Sequence, residues 1–218
     1  MKSYIDELDR NIFNFVEYEG YDDRYPSLSM QAFSSDFYDE IRHVSRRLFQ
    51  IFCKAAKVFQ MAPDDFARNM DMPDNLIPYL HKSNALGLPT WLSRFDFVLD
   101  VNGNLRMVEL NADTPCFLIE SYYANEVAAN YVGRKHPNKE CRKELHTFFK
   151  RMYDAVLSAK YGRNQYKSML ANRERLPKDP FVFSCFHDYF EDYGTTQFLM
   201  NELKTACPEA DTRFISFY

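Results

Sequence analysis

Residues 94–114 read RFDFVLDVNGNLRMVELNADT. Two runs in which apolar and polar residues alternate flank the pair Asn102-Gly103, and a pair of this type is the strongest short-range signal for a tight β-hairpin. If the pair forms a two-residue turn, Asp96 on the first strand lies directly opposite Glu109 on the second. The stretch therefore predicts an antiparallel hairpin with two facing carboxylates.

The two faces of this predicted hairpin differ in chemistry, because successive side chains of a strand point to opposite sides. The apolar face, which we expect to be buried, carries Phe95, Phe97, Leu99, Val108 and Leu110. The polar face carries Arg94, Asp96, Glu109 and Asn111. The hairpin is thus predicted to be half buried.

Facing carboxylates destabilise a strand pair unless something offsets their repulsion. Arg94 can neutralise one of the two charges. A hard cation held by carboxylate and amide oxygens, as Mg²⁺ is in proteins, would neutralise the rest. A salt-bridged surface facing water is the alternative interpretation, since structural ion pairs are common.

A helix is predicted directly after the second strand. Thr114 and Pro115 have the pattern of an N-cap and a first helical residue, and the helix is expected to run to about Asn130. Its N-terminus would favour an anion beside the polar face, although an ordinary cap has the same pattern. Cys116 would lie in the first turn, where a thiolate is stabilised.

The C-terminal segment predicts a βαβ unit. A strand, a helix and a second strand are expected at residues 181–186, 195–206 and 213–218. Their order indicates a right-handed crossover between parallel strands. Residues 187–194 would form the loop at the carboxyl end of the first strand, where open α/β sheets bind ligands. Glu191 and Asp192 in that loop could hold an ammonium group, or they are the acids that a helix dipole favours.

Two long amphipathic helices are expected, one from Ser34 to about Gln60 and one from Lys139 to about Lys160. The predicted core positions of the first are Phe37, Ile41, Val44, Leu48, Ile51, Ala55 and Val58. Those of the second are Leu145, Phe148, Met152, Val156 and Ala159, with its basic residues in water. Residues 162–180 are polar and basic and suggest a subdomain joint. Together the elements predict an α/β fold, α+β in detail, with many helices.

Composition limits the classes of function. The 218 residues include 46% hydrophobic and 17% aromatic residues, enough for one large domain with a sizeable core. The net charge is -4 and there is no basic cluster, so nucleic acid is not expected as a partner, whereas an amine or polyamine is tolerated. The N-terminus has no apolar signal core and no stretch has membrane length, which predicts a cytoplasmic protein without membrane contact. Five widely spaced cysteines indicate reduced thiols.

Three separated motifs resemble the synthetase domain of glutathionylspermidine synthase, a member of the ATP-grasp ligase superfamily. They are Arg94-Phe-Asp-Phe, Glu109-Leu-Asn-Ala-Asp-Thr-Pro and Glu191-Asp-Tyr-Gly-Thr-Thr-Gln-Phe-Leu. The resemblance extends over nearly the whole chain. It implies a pre-ATP-grasp-like fold and an ATP-dependent ligase that activates a carboxylate as an acyl phosphate and joins it to an amine.

The resemblance also implies roles for individual residues. The arginine that matches Arg94 stabilises the charge of phosphoryl transfer, and Thr114 matches a position that contacts the thiol-peptide substrate. Glu191 and Asp192 match the acidic pair that holds peptide and polyamine amino groups. The implied magnesium ligands are Asp96, Glu109 and Asn111.

The family's synthetase domain continues for about as long again as this chain, and that further part supplies the nucleotide-binding grasp. We therefore expect residues 1–218 to be a single incomplete synthetase domain that holds Mg²⁺ and substrate, with an ATP site that needs the C-terminal part. Such a chain would be inactive alone. One alternative is a catalytically incomplete small-peptide or amine-binding protein derived from the family, and another is an interaction domain with a salt-bridged surface. The sequence assigns no oligomeric state.

Overall fold

A computed structural model of the chain describes residues 3–17, 25–27, 29, 31–85, 90, 92–113, 116–172 and 180–217. Helices and strands are mixed, which confirms the α/β class. The described residues of Met1–Ser29 and Cys116–Tyr218 form one compact unit, and those of Met30–Pro115 form a second. The joint suggested near residues 162–180 falls inside the first unit. Within the described ranges, no helix combines the length and apolar character that crossing a membrane requires.

In its described residues, the second unit contains three helices and the predicted hairpin. Its elements are α1 (Ser35–Met61), α2 (Asp64–Asn69), α3 (Ile77–Ala85), β1 (Ser93–Leu99) and β2 (Leu105–Ala112). α1 begins at the predicted place, because Ser34 Oγ accepts a hydrogen bond from the Phe37 N–H at 3.1 Å. This bond satisfies one of the free donors of the first turn.

The predicted core stripe of α1 is wrong in its second half. Ile51 is 59% exposed and Val58 is 69% exposed, and Ala55 is exposed as well. The ring of Phe52, one position further along, instead packs against Phe95 of β1 with centroids 5.9 Å apart. The stripe of seven apolar positions runs along most of α1. A short helix and a two-stranded hairpin are too small to cover it over its whole length.

The turn of the hairpin has three residues rather than the predicted two. The Asp100 N–H donates to Asn104 O and the Gly103 N–H donates to Asp100 O, both at 2.9 Å. Gly103 takes the left-handed conformation that such a turn requires, with φ +80°. The Asp100 carboxylate accepts hydrogen bonds from the Asn102 and Asn104 N–H groups at 2.9 and 2.8 Å. These bonds fix the turn and, with the Asn104 side chain foremost, lower the pKa of Asp100.

The predicted pairing of the carboxylates is nevertheless confirmed. Asp96 faces Glu109, but Phe97 faces Met107, so Val108 is an extra residue on β2. This β-bulge compensates for the third turn residue and restores the predicted register beyond it. Val108 is 58% exposed as a result, and Leu99 is 52% exposed. The prediction that these two side chains are buried is therefore wrong.

Replacing Gly103 is expected to test the turn conformation. A Cβ added there meets no heavy atom within 4 Å. The cost of Gly103→Ala is therefore only that alanine must adopt the left-handed backbone conformation. We expect a loss of about 1 kcal/mol in the free energy of unfolding of the second unit, measured by urea denaturation. Gly103→Asn is the matched control and should lose less, because asparagine tolerates this conformation. Equal losses for the two variants would contradict the assigned turn.

His81 links three helices of the second unit and makes its stability depend on pH. Its Nδ1 lies 2.9 Å from Gln60 O, and its Nε2 lies 2.9 Å from Asp64 Oδ1. The hydrogen bond to Asp64, foremost, raises the pKa of His81 above its ordinary 6.5. The stabilisation is complete below the ordinary pKa and is lost as pH rises through the higher folded pKa.

The wild type should therefore have a higher Tm for the second unit at pH 6 than at pH 8, measured by calorimetry. His81→Gln should lose this excess at pH 6, since glutamine does not titrate. An unchanged difference between the two pH values in the variant would show that His81 does not cause it.

The first unit holds the predicted βαβ segment among further helices. Its regular elements are a 3₁₀ turn (Tyr4–Glu7), a π-helix (Glu120–Ala124), α4 (Asn125–Tyr131), α5 (Cys141–Tyr161), α6 (Arg163–Ala171), β3 (Phe181–Cys185), α7 (Phe190–Ala206) and β4 (Thr212–Ser216). β3 and β4 pair in parallel with α7 between them in the chain, which confirms the βαβ prediction. The most deeply buried large side chains are Phe13, Phe15, Val16, Ile119 and Leu203.

The buried face of α5 is rotated from the predicted one. The fully buried residues of the helix are Leu145, Phe149, Tyr153 and Leu157. Only Leu145 was predicted, whereas Ala159 is exposed and the other three predicted residues are half-buried. The ring of Tyr153 stacks on Phe181 of β3 with centroids 5.3 Å apart. This aromatic contact holds the face of α5 that carries Tyr153 against the interior.

Candidate functional site

The polar face of the hairpin brings four predicted site residues together in the second unit. Arg94 Nε and Nη2 donate to the two oxygens of Asp96 at 2.7 and 2.8 Å. Arg94 Nη2 also lies 3.9 Å from Glu109 Oε1. Asn111, which faces Arg94 in the register, donates from Nδ2 to Glu109 Oε1 at 2.7 Å. The four side chains form one connected polar network.

The charges of this network are partly compensated. The hydrogen bonds from Arg94, foremost, lower the pKa of Asp96 against the opposing effect of burial. Asp96 therefore stays ionised at neutral pH. The side chain of Glu109 is 55% exposed and that of Asp96 is 34% exposed. A ligand from solvent can reach both carboxylates.

The donor atoms of the network fit a hard cation. Asp96, Glu109 and Asn111 offer carboxylate and amide oxygens, which are the ligands of Mg²⁺, usually completed by waters and phosphate oxygens. No three Asp, Glu, His or Cys side chains group to hold a metal in the part of the chain that the structure describes. The set offers two carboxylates and one amide to a cation, and it lacks the nitrogen and sulfur ligands typical of Zn²⁺.

Thr114, the predicted peptide contact, lies outside the described residues, as does Pro115. The helix predicted to begin there begins later. Cys116 is not helical, and Phe117 has φ +68°. Because this conformation interrupts a right-handed helix, helical backbone starts only after Phe117. The placement of Cys116 in a first helical turn is therefore wrong.

Glu191 and Asp192 belong to the first unit and lie in the first turn of α7. The prediction that they lie in a loop is wrong, because α7 begins at Phe190 rather than Thr195. Asp192 Oδ1 accepts a hydrogen bond from Cys116 Sγ at 3.7 Å. Both carboxylates sit where the helix dipole favours negative charge. This position agrees with the alternative interpretation, in which the two acids are there because the helix dipole favours them. Both side chains remain partly exposed to solvent.

The sequence interpretation missed an ion cluster of the first unit that surrounds one buried carboxylate, that of Glu202. Arg142 donates to both oxygens of Glu202, from Nη2 at 2.6 Å and from Nε at 3.1 Å. His146 Nε2 lies 2.6 Å from Glu202 Oε2. The side chain of Glu202 is only 4% exposed. The spacing of Arg142 and His146, four residues apart on one side of a helix, is the signal that could have indicated a shared partner.

Comparison with known proteins agrees with this fold. The profile of the family described as glutathionylspermidine synthase preATP-grasp matches residues 4–216. No curated protein gives a match. The matched region takes in every described element of both units, including the hairpin network and α7. Because the match spans nearly all of the 218 residues, the chain belongs to the family described as glutathionylspermidine synthase preATP-grasp.

Proposed function

We propose that this chain acts as the pre-ATP-grasp part of an ATP-dependent carboxylate-amine ligase. The observation that carries the proposal is the hairpin network, in which Arg94 bridges the facing carboxylates of Asp96 and Glu109. A ligase of this type first transfers the γ-phosphoryl group of ATP to a carboxylate, which gives an acyl phosphate and ADP. The amine then attacks the acyl carbon, and the amide forms as phosphate leaves.

Asp96, Glu109 and Asn111 would hold Mg²⁺ against the phosphates of ATP. When bound, Mg²⁺ neutralises the phosphate oxygens and so supports phosphoryl transfer. Arg94 would meet the negative charge that develops on the transferred group, since a guanidinium matches phosphate geometry well. In the structure Arg94 occupies both oxygens of Asp96. A cation at Asp96 would compete with the guanidinium and leave it available to the phosphoryl group.

The substrates we propose are a small peptide that supplies the carboxylate and an amine or polyamine that accepts it. Glu191 and Asp192 would attract the ammonium groups, and Thr114 would contact the peptide. The net charge of -4 is compatible with cationic amines. We place the reaction in the cytoplasm, away from nucleic acid and membranes.

Trapping the acyl phosphate tests this function. The protein isolated from its native cells would be incubated with ATP, Mg²⁺, glutathione and hydroxylamine, which converts an acyl phosphate to a hydroxamate. We expect one ADP for each hydroxamate, and neither product when the peptide is omitted. With spermidine in place of hydroxylamine, mass spectrometry should detect the amide.

The contrary results have distinct meanings. If a panel of small peptides and amines gives no ADP and no hydroxamate, the ligase assignment is wrong. Saturable binding of a peptide or amine without ADP release would instead indicate the catalytically incomplete binding protein.

A further inference from the structure

A polar cleft in the first unit contains none of the residues to which the ligase chemistry is assigned. Its volume is about 530 Å³, and its walls come from residues 10–14, the π-helix and the helices α5 and α7. A volume of this order suits a small molecule. Gly194 of α7 forms part of one wall, and a Cβ there would collide with Asn14 Oδ1 and lie 3.0 Å from the Phe15 ring. The N-terminal segment therefore packs directly on the helix backbone, which fixes this wall.

Two arginines and one carboxylate are the charged side chains among the described residues that line the cleft. They are Arg10, Arg142 and Glu202. The buried carboxylate of Glu202 is neutralised, because Arg142 and His146 occupy its two oxygens. Glu202 thereby also fixes the orientation of the guanidinium. In the part of the chain that the structure describes, Arg142 Nη1 has no hydrogen-bond partner, and Arg10 pairs with the exposed Glu17 at 3.5 Å.

The neutral lining can both donate and accept hydrogen bonds. Asn14, Gln197 and Asn201 line the cleft, and their side-chain amides have no hydrogen-bond partner in the described part of the chain. Tyr122 also lines it, and burial raises the pKa of this phenol to about 12, so it remains a neutral donor. Tyr122 belongs to the π-helix Glu120–Ala124, a backbone form that occurs frequently at functional sites.

We propose that this cleft binds a small organic monocarboxylate that carries an amide, such as an N-acylated amino acid. Arg10 and the free Nη1 of Arg142 bind the carboxylate, and the side-chain amides bind the amide of the ligand. A cationic ligand is disfavoured, because Glu202, the carboxylate among the described residues that line the cleft, is already paired. Inorganic phosphate should bind more weakly, since it has no amide for the side-chain amides to bind.

Titration of the ¹⁵N-labelled full chain, without ATP or metal, tests this site independently of the ligase function. The probe is N-acetyl-L-alanine, and the side-chain NH₂ signals of Asn14, Gln197 and Asn201 report binding. We expect saturable shifts of these signals. N-acetyl-L-alaninamide differs only in having an uncharged amide in place of the carboxylate. It should bind roughly tenfold more weakly, because charge-assisted hydrogen bonds are the stronger ones.

Two substitutions locate the binding. Arg10→Gln and Asn201→Ala alter exposed cleft residues and should each weaken binding several-fold, while the remaining spectrum shows that the chain is folded. Lys204→Gln is the matched control, because it removes a charge from an exposed position of α7 that does not line the cleft.

Four outcomes would overturn the proposal. They are the absence of saturable shifts, equal affinity for the acid and its neutral amide, equal affinity for inorganic phosphate, and binding that neither cleft substitution weakens.

Discussion

Asp96→Asn is expected to lower Mg²⁺-dependent ATP consumption by about 100-fold or more, since loss of one transition-state partner in such a site has an effect of this size. The substitution removes an anionic oxygen of the proposed metal site and also the hydrogen-bond partner of Arg94. Glu109→Gln should have a similar effect, because it removes the facing carboxylate. ADP release by the protein from its native cells, followed over a range of Mg²⁺ concentrations, is the measurement.

Glu40→Gln supplies the matched control for these two variants. It removes the same charge from an exposed position of α1 in the same unit, and its ATP consumption should equal that of the wild type. Because the double variant loses one shared site, its loss should be less than the product of the single losses. Unchanged ATP consumption in both single variants would show that the polar face is only a salt-bridged surface.

Glu202→Ala is expected to lower the free energy of unfolding of the first unit by about 2–3 kcal/mol. The substitution leaves Arg142 and His146 beside a buried site without their shared carboxylate. The loss is smaller than for a fully buried ion pair, because the side chain of Arg142 is 53% exposed and can turn to water. Urea denaturation monitored by circular dichroism measures the loss.

Two comparisons separate the ion cluster from a general effect of truncation. Glu209→Ala removes an exposed carboxylate of the same unit and should change stability by less than about 0.5 kcal/mol. In an Arg142→Ala background, Glu202→Ala should cost clearly less than in the wild type, since the main partner is already absent. Additive losses would show that the two residues are not energetically coupled.

Local sequence patterns predicted the pairing of the site carboxylates correctly, although they predicted the turn and the strand register only in part. Alternation and the Asn102-Gly103 pair placed Asp96 opposite Glu109, as in the structure. The prediction lacked both the third turn residue and the bulge at Val108, and these two differences cancel in the register near the site. The prediction of burial still fails, because the Val108 side chain at the bulge is exposed.

The beginning of α7 shows where local reasoning fails. Gly194 is predicted from the sequence to lie in the loop of residues 187–194, although helix α7 already begins at Phe190. The structure gives a tertiary reason for it, since Asn14 and Phe15 occupy the place of its absent side chain. That contact joins residues 180 positions apart and leaves no local trace. The assignment of Glu191 and Asp192 to a loop followed from the same omission.

Burial within helices was only partly predictable. Spacing at three and four residues located α1 and α5 but not the face that each turns inward. The inward face depends on partners distant in sequence, such as Phe95 for Phe52 and Phe181 for Tyr153. The cluster around Glu202 was missed for the same reason, because its members lie on two helices.

Crystals of the protein isolated from its native cells, grown with Mn²⁺ and ATP, would test the metal assignment most directly, because Mn²⁺ replaces Mg²⁺ in oxygen sites and scatters X-rays anomalously. We predict an anomalous peak about 2.0–2.3 Å from carboxylate oxygens of Asp96 and Glu109, with Arg94 withdrawn from Asp96 toward the phosphates. A bound nucleotide with no peak at these carboxylates, and with Arg94 still on both oxygens of Asp96, would contradict the account.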